Sequence, residues 1–234
     1  MATTHHPAKD IFHLCCPAGH EEGPARVCFF VNKRIDHKRW RFKEHTRDIC
    51  SLTIKPSEER QEGQQLTVHN IYNPVRNSTS ERTALADVRA ILNEHQSNEQ
   101  ILLGDFNLHQ PPWGGPNVGH THLESENLIA IIEDFDLSNK LLPGTITYEE
   151  GTWRSTIDLC LVTVGLVDRV IRSEVDRDLD HDSDHLPIST VLDITIQQLE
   201  RTTKRKWKQL DEVVYRKALK QALPPPRIPY GIII

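Results

Sequence analysis

An apolar run in the middle of the chain ends in two polar residues that could do chemistry together. Residues 101–103 (ILL) lead directly into Gly104-Asp105-Phe106-Asn107. Side chains alternate along a strand, so Asp105 and Asn107 share a face if the extended geometry continues. A carboxylate beside a carboxamide can bind a metal, accept a proton or position a water. The alternative is an ordinary turn, because Gly, Asp and Asn are common turn residues.

Two segments in the C-terminal half supply further candidate residues. Asp158 lies in a β-branched and apolar run at 155–162, where a carboxylate is costly unless it is paired or hydrogen-bonded. His185, which follows Asp184, is the best candidate for its partner. An Asp–His pair orients the imidazole and stabilises its charged form. We therefore expect a second carboxylate, Asp184, beside an imidazole that transfers a proton or binds a phosphate.

These segments resemble the endonuclease/exonuclease/phosphatase superfamily. The resemblance rests on GDFN at 104–107, STID at 155–158 and SDH at 183–185, in the family's order, and on NIYNP at 70–74. LHQPPWGG at 108–115 further resembles the endonuclease domain of LINE-type (non-LTR) retrotransposons, especially those of fungi. The resemblance spans residues 26 to 196.

The resemblance implies a role for each central residue. Asp105 would activate the attacking water or hold its metal ion, and Asn107 would orient that water or the phosphate. Tyr72 would hydrogen-bond a phosphate oxygen. His185 would contact the scissile phosphate and would be oriented by Asp158.

A divalent cation completes the implied site. Asp184 would be a metal ligand with Asp105, Ser183 would brace the turn at Asp184, and Thr147 would supply a supporting hydroxyl. Oxygen ligands with retained waters suit Mg²⁺, with Mn²⁺ as the alternative, better than Zn²⁺. The five cysteines contain no Cys-x-x-Cys pair, so the sequence does not indicate a zinc site.

The chain departs from the superfamily pattern near its N-terminus. Family members begin with a strand that carries a catalytic Asn, followed by a strand that ends in a metal-binding Glu, and neither is visible here. Glu21 and Glu22 lie in a stretch with Gly and Pro that is typical of a loop. The resemblance thus implies an N-terminally truncated chain with weakened metal binding and impaired activity.

Alternating strand and helix patterns predict an α/β protein. The resemblance implies a two-sheet α/β sandwich of the DNase type, incomplete at the N-terminus, with its site at strand ends. We expect a remnant or loop over 1–24, the nuclease-like domain over 25–198, and a basic and helical linker with a Pro-rich tail over 199–234. Residues 111–116, with three prolines and two glycines, are predicted to be a loop.

Two features are candidate DNA contacts, and each has a structural alternative. Residues 32–47 contain seven Lys and Arg, among them Arg39 and Arg41, with Trp40 and Phe42 between them. Such a patch suits a DNA backbone, but an exposed hairpin between two strands would have the same composition. Trp113 could stack on a base or sugar, or it could anchor its loop by packing on the domain.

Composition limits the remaining choices. A chain of 234 residues that is 37% hydrophobic can form one sizeable domain and a tail. Its net charge of −5 argues against broad nonspecific coating of nucleic acid. No apolar run approaches the roughly 18 residues of a membrane span, and the N-terminus lacks a signal-peptide pattern. We expect an intracellular protein, nuclear or cytoplasmic, without a membrane partner.

The expected function follows from the resemblance. It is metal-dependent hydrolysis of a DNA phosphodiester by a LINE-type endonuclease domain, leaving a 3′-hydroxyl primer. The expected partners are DNA and the reverse transcriptase domain of a parent polyprotein, of which no motif occurs before Ile234. Two alternatives stay open: a non-catalytic remnant that binds nucleic acid weakly, and a small-molecule phosphatase of the same fold.

Overall fold

The computed structural model describes residues 7–18, 23–55, 65–75, 83–96, 98–116, 118–119, 121–179 and 182–194, together with three residues near the C-terminus. The chain divides into a unit spanning Met1–Leu199 and a second unit spanning Glu200–Ile234. In the second unit the described residues, Val213, Val214 and Lys217, are helical. Among the described residues, no helix combines the length and the hydropathy of a membrane-spanning segment.

Short strands make up most of the first unit. In chain order they are Phe12–Cys15 (β1), Phe29–Asn32 (β2), Trp40–Thr46 (β3), Ile49–Ile54 (β4), Leu66–Tyr72 (β5), Glu99–Asp105 (β6), Ser138–Asn139 (β7), Tyr148–Glu150 (β8), Trp153–Ser155 (β9), Asp158–Val162 (β10), Val170–Val175 (β11) and Ile188–Leu192 (β12). The α-helices are Leu85–Glu94 (α1), Pro111–Gly114 (α2) and Ser125–Asp134 (α3), and 3₁₀ helices cover Pro7–Asp10, His37–Arg39 and Val164–Arg169.

Six of these strands form one sheet in the order β3-β4-β5-β6-β10-β7. β5 and β6 run parallel and are connected through α1, whereas the other neighbouring pairs are antiparallel. In this register Tyr72 lies opposite Asp105, and Asp105 lies opposite Asp158. Three predicted site residues therefore lie side by side on neighbouring strands, at the end of the sheet where β6 ends.

The central strands are covered on both faces. On one face α1 and α3 pack Leu92 and Leu128 into a core cluster with Leu102. On the other face Ile101 joins a cluster with Leu166 and with side chains of β11 and β12. A strand that is buried on both faces reads as a continuous apolar run, which accounts for residues 101–103.

The other strands pair in two-stranded ladders: β1 with β2, β8 with β9, and β11 with β12. The β1–β2 ladder buries Cys15 and Val31 in a cluster with Trp40 and Leu52 of the large sheet. Strand layers packed on each other with helices outside make an α/β sandwich. The predicted α/β class is therefore confirmed.

One local prediction was wrong. Residues 111–116 are not entirely a loop, because Pro111–Gly114 forms a single helical turn with prolines at its first positions. Proline is compatible with the first turn, where N–H groups have no partner within the helix and its fixed φ suits helical geometry. Gly115 ends the turn with a φ of 77°.

β1 was not indicated by the sequence. It lies in the first 24 residues, for which a remnant or loop was expected, and it pairs with β2 in antiparallel register. Its four residues, FHLC, are too few for alternation to be recognised without the partner strand.

Candidate active site

Gly104 lets the end of β6 approach the neighbouring strand. Its φ is +138°, and a Cβ built on it would lie 1.9 Å from the carbonyl oxygen of Ile71. No residue with a side chain fits this position, because both the conformation and the space exclude one. The glycine thus sets the point at which Asp105 leaves the sheet.

Asp105 and Asn107 meet through a tight turn and not through an extended strand. β6 ends at Asp105, and Asn107 has a φ of 51°. The backbone N–H of Asn107 donates to Asp105 Oδ1 at 2.9 Å, and its side-chain Nδ2 donates to Asp105 Oδ2 at 2.7 Å. Nδ2 also donates to the carbonyl oxygen of Asn73 at 2.9 Å. Asn107 therefore holds the carboxylate through its backbone N–H and one Nδ2 hydrogen, and its second Nδ2 hydrogen anchors the side chain on Asn73.

Asp158 holds His185 by its ring. His185 Nδ1 lies 3.1 Å from Oδ1 and 3.0 Å from Oδ2 of Asp158. Thr147, which is fully buried, accepts hydrogen bonds from the backbone N–H groups of Ile157 and Asp158 at 3.1 and 3.0 Å. The predicted supporting hydroxyl therefore fixes the chain at the start of β10.

The second ring nitrogen of His185 faces the other carboxylate. His185 Nε2 lies 3.9 Å from Asp105 Oδ2, so the imidazole stands between two acids. Burial, together with the nearby charge of Asp158, raises the pKa of Asp105 to about 6. Burial also raises the pKa of Asp158. Burial lowers the pKa of His185, but Asp158, Asp105 and Asp184 outweigh that effect and raise it above its ordinary value.

The segment that carries His185 is attached to β8. The backbone N–H of Leu186 donates to the carbonyl oxygen of Thr147, and that of Glu149 donates to the carbonyl oxygen of Asp184, both at 2.8 Å. Ser183 Oγ accepts from the N–H of His185 at 3.1 Å and donates to Asp184 Oδ1 at 3.3 Å. Ser183 thus lies where the sequence placed a brace, and Asp184 is exposed beside it.

Tyr72 has two partners that the sequence did not reveal. The guanidinium of Arg26 lies 4.4 Å from the centre of the Tyr72 ring. Arg26 also donates to both carboxylate oxygens of Asp48, from Nη2 at 2.6 Å and from Nε. The backbone N–H of Tyr72 donates to the carbonyl oxygen of Asp48 at 2.9 Å. No local motif signals this contact, because the three residues come from separate parts of the chain.

A cavity of about 1030 Å³ opens over this row of residues. Tyr72, Asp105, Asn107, Asp184 and His185 all line it. The structure therefore brings these predicted residues together, while their chemical roles stay predictions.

The cavity also has lining residues that sequence reasoning missed. Trp153 and Arg154 reach it from the β8–β9 hairpin, and Trp153 is 77% exposed. Tyr148 lines it too and contacts His185 edge-on, with ring centres 5.0 Å apart. The sequence did contain a signal for these residues, because Trp153 and Arg154 directly precede the STID segment.

Trp113 does not face this cavity. It is 1% exposed, it lies in the helix-side core, and its Nε1–H donates to the carbonyl oxygen of Leu108 at 2.8 Å. The proposed DNA contact is wrong, and the alternative of a buried anchor is correct. The reason is that α2 turns the indole inward.

Arg39 and Arg41 are not brought to the site. Arg41 lies opposite Thr53 of β4, and through Thr67 of β5 this row continues to Gln100 of β6. That row is five residues along β6 from Asp105, or roughly 16 Å at strand spacing. The basic residues at 39 and 41 therefore lie towards the other end of the strands from Asp105. They also lie on or next to β3, the outermost strand of the sheet.

The side chains present do not form a ready-made metal site. Within the described ranges no group of three or more His, Cys, Asp or Glu could hold an ion. The oxygens of Asp105 accept hydrogen bonds from Asn107, and those of Asp158 face His185. Asp184, predicted as a metal ligand, is exposed. The expected Mg²⁺ or Mn²⁺ therefore does not fit a preformed set of protein ligands, and we assign it no chemical step.

Comparison with known families gives one match. The model of a family described as endonuclease-reverse transcriptase matches residues 66–189, which include every residue from Tyr72 to His185 discussed above. None of the curated proteins matches this chain significantly.

Several solved structures have a similar fold. The endonuclease domain of TRAS1, a telomere-specific non-LTR retrotransposon, has a TM-score of 0.59 and 17% identity, covering 78% of this chain and 80% of that chain. An AP endonuclease from Archaeoglobus fulgidus has a TM-score of 0.56 and 16% identity, covering 81% and 84%. The 3′ phosphatase NExo from Neisseria, bound to a product DNA hairpin, has a TM-score of 0.54 and 15% identity, covering 81% and 84%. At these identities the likeness shows a shared fold.

Proposed function

This chain belongs to the endonuclease-reverse transcriptase family, and on that premise we propose that it is the endonuclease domain of a LINE-type retroelement. Its fold is that of the endonuclease/exonuclease/phosphatase nucleases. The proposed reaction is hydrolysis of one phosphodiester bond in DNA. Water attacks phosphorus, the bond to the 3′ oxygen breaks, and the products are a 5′ phosphate and a 3′ hydroxyl.

One observation carries the proposal: the imidazole of His185 stands between the carboxylates of Asp158 and Asp105 in the wall of the cavity. Asp158 holds Nδ1, so Nε2 is directed to the cavity side. Neighbouring acids outweigh the effect of burial and raise the pKa of His185, which favours its imidazolium form. A cation there would stabilise charge that develops on the phosphate oxygens.

Asp105 is the proposed general base. Its pKa of about 6 keeps it ionised at neutral pH yet basic enough to accept a proton from water. Tyr72 lies opposite it on β5 and is proposed to donate a hydrogen bond to a phosphate oxygen. Asn107 and Thr147 are positioning residues in this scheme, because their polar groups hold Asp105 and the backbone at Asp158.

DNA is the proposed substrate because of the rim of the cavity. An exposed indole and an exposed guanidinium, from Trp153 and Arg154, stand at the edge of the β8–β9 hairpin. Aromatic and cationic side chains together suit bases and phosphates. The similarity to a retrotransposon endonuclease domain supports the same substrate class. A reverse transcriptase domain is the proposed partner in a parent polyprotein.

Metal dependence is a separate part of the proposal. Mg²⁺ is often bound by one or two carboxylates together with substrate phosphates, so bound DNA would supply ligands beyond those of the protein. We expect activity in Mg²⁺ or Mn²⁺ and its loss in EDTA. Isothermal titration of Mg²⁺ with and without a short duplex would measure whether the cation needs the phosphate.

Two alternatives stay open. The first is a non-catalytic protein that binds nucleic acid weakly. The second is a phosphatase. The likeness to a 3′ phosphatase favours removal of a terminal phosphate from DNA, and the assay for phosphate release also detects a small-molecule phosphatase of this fold.

Nicking of supercoiled plasmid tests the proposal. We expect wild-type protein to nick in Mg²⁺, with the rate reduced at least about 100-fold in Asp105→Asn and in His185→Ala. Asp134→Asn, an exposed acid on α3 that pairs with Arg89, is the matched control and should nick at the wild-type rate. Wild-type protein that binds duplex DNA without nicking it supports the non-catalytic alternative. Phosphate release from 3′-phosphorylated oligonucleotides or sugar phosphates without nicking supports a phosphatase.

A further inference from the structure

Four of the five cysteines come together at the β1–β2 ladder. Cys15 ends β1, Cys16 follows it, and Cys28 immediately precedes β2. Cys50 lies in β4 and is fully buried. Burial raises the pKa of the Cys28 thiol, and Cys16 and Cys15 raise it further. Burial likewise raises the pKa of Cys50 to about 12, with smaller contributions from the other three thiols.

The register of the ladder places Cys16 opposite Cys28. Cys15 is paired with Phe29 in antiparallel register, so the next position outward joins Cys16 and Cys28. At the other end of the ladder Lys33 N–H donates to Ile11 O at 2.9 Å, which marks a hydrogen-bonded pair. Such pairs alternate with non-hydrogen-bonded ones. Cys16 is five positions from Ile11, and an odd number of steps changes the type of pair. The Cys16–Cys28 pair is therefore of the non-hydrogen-bonded type.

This position suits a disulfide. The Cα atoms of a non-hydrogen-bonded antiparallel pair lie about 4.5 Å apart, which is within the range of roughly 4.4–6.8 Å that disulfides span.

The two faces of the ladder separate this pair from the other thiols. Cys15 and Val31 face the core, with 1% and 3% exposure. Cys16 and Cys28 share the opposite face with Phe30, which is 45% exposed. Both cysteines of the pair are half-buried, so a small thiol reagent can reach them.

We propose that Cys16 and Cys28 form a reversible disulfide, with glutathione disulfide or a similar small disulfide as the oxidant. The thiolate of one cysteine attacks a glutathione sulfur and releases one glutathione thiolate, leaving a mixed disulfide. The thiolate of the second cysteine then attacks the protein sulfur of that mixed disulfide and releases the second glutathione. The two cysteines lose two protons and two electrons, which reduce one glutathione disulfide to two thiols.

The bond would close the segment that carries Arg26. Residues 17–27 join the two cysteines, and Arg26 lies over Tyr72 at the edge of the candidate site. The carbonyl oxygen of Cys28 also accepts a hydrogen bond from Asn70 Nδ2 of β5 at 2.8 Å. Oxidation therefore restrains a segment that contacts the site, while formation of the bond does not depend on any catalytic activity.

The test equilibrates the full chain with buffers of varied ratio of reduced to oxidised glutathione. Free thiols are then trapped with N-ethylmaleimide, and the protein is digested with trypsin, which cleaves after Arg26 and so separates the two cysteines. We expect a linked pair of peptides, residues 10–26 and 27–33, in the oxidising buffers, and its loss after treatment with dithiothreitol. Two fewer thiols should be alkylated in the oxidised protein.

Variants identify the sulfurs. Cys16→Ser and Cys28→Ser should abolish the linked peptides, whereas Cys15→Ser should retain them at the wild-type glutathione ratio. Fragment spectra of the wild-type linked peptide separately show whether Cys15 or Cys16 carries the bond, so the result does not depend on how the variants fold. A bond through Cys15 or Cys50, a disulfide between two chains, or mixed glutathione adducts at every ratio would each overturn the proposal.

Discussion

Asp105 is the proposed general base, and its burial lowers the free energy of unfolding when it is ionised. Its carboxylate is largely buried beside Asp158, and the pKa rises from 3.8 to about 6. Between these pH values the folded protein keeps a proton that the unfolded chain has released. The free energy of unfolding therefore falls as pH rises through this window, and the ionised acid destabilises the folded state at neutral pH. His185 and Asn107 offset part of this effect.

The Asp105→Asn variant should separate stability from activity. At pH 7 we expect its free energy of unfolding to exceed that of the wild type by about 1 to 2 kcal/mol, after allowing for one lost acceptor towards Asn107. This excess should be lost as the pH is lowered to about 3, where the wild-type acid is protonated in both states. Urea unfolding across pH measures it. A variant that is less stable at pH 7 would contradict the raised pKa.

At the scale of elements, the site depends on how β6 ends and where two short elements direct their tryptophans. Gly104 allows the close approach to Ile71 of β5, so the strand end itself sets the position of Asp105. α2 directs Trp113 into the core, whereas the β8–β9 hairpin leaves Trp153 exposed. Because each of these elements acts through one residue, a single substitution can measure its contribution to stability or to DNA binding.

Gly104→Ala should be strongly destabilising. Its Cβ would lie 1.9 Å from a backbone oxygen that cannot move freely, and we expect a loss of about 3 kcal/mol or more in the free energy of unfolding. Gly151→Ala is the matched control, since Gly151 also has a positive φ but no atom within 4 Å of the added Cβ. It should lose only about 1 kcal/mol. Equal losses in the two variants would show that the close approach does not matter.

The two tryptophans should behave oppositely. Trp113→Ala removes a buried side chain and its hydrogen bond and should lower the free energy of unfolding by about 3 to 5 kcal/mol. Trp153→Ala should change stability by less than about 0.5 kcal/mol but weaken binding of a short duplex by roughly 1 to 3 kcal/mol. Chemical denaturation and fluorescence anisotropy measure the two effects. Unchanged duplex affinity in Trp153→Ala would remove the hairpin from the proposed DNA surface.

At the scale of the whole molecule, basic residues differ in how close they lie to the cavity and therefore in what they can contribute to DNA binding. The net charge is −5, so binding of DNA depends on where cations lie and not on total charge. Arg154 lines the cavity, whereas the register puts Arg41 five residues along the sheet from the row of Asp105. Arg39 precedes it and lies still farther from that row.

The Arg39→Ala/Arg41→Ala double variant should bind duplex DNA with nearly wild-type affinity. Arg154→Ala should bind more weakly and show a salt dependence reduced by about one phosphate contact. Affinity measured at several salt concentrations distinguishes the two. A large loss of affinity in the double variant would extend the DNA surface to the β3 edge.

The sequence by itself determined the α/β class, the central apolar strand and the three polar segments that line the cavity. These features are local: each rests on residue types within a few positions, such as the polar residues at 104–107 or the lone acid at 158. Only the tertiary structure decided that Arg26 lies over Tyr72, that Trp113 points inward, that Arg41 lies far from Asp105, and that β1 pairs with β2 up to Cys15 and Phe29. Each of these depends on strand pairing or packing between distant parts of the chain. The register and the direction of a side chain into the core are fixed by partners that no local pattern contains.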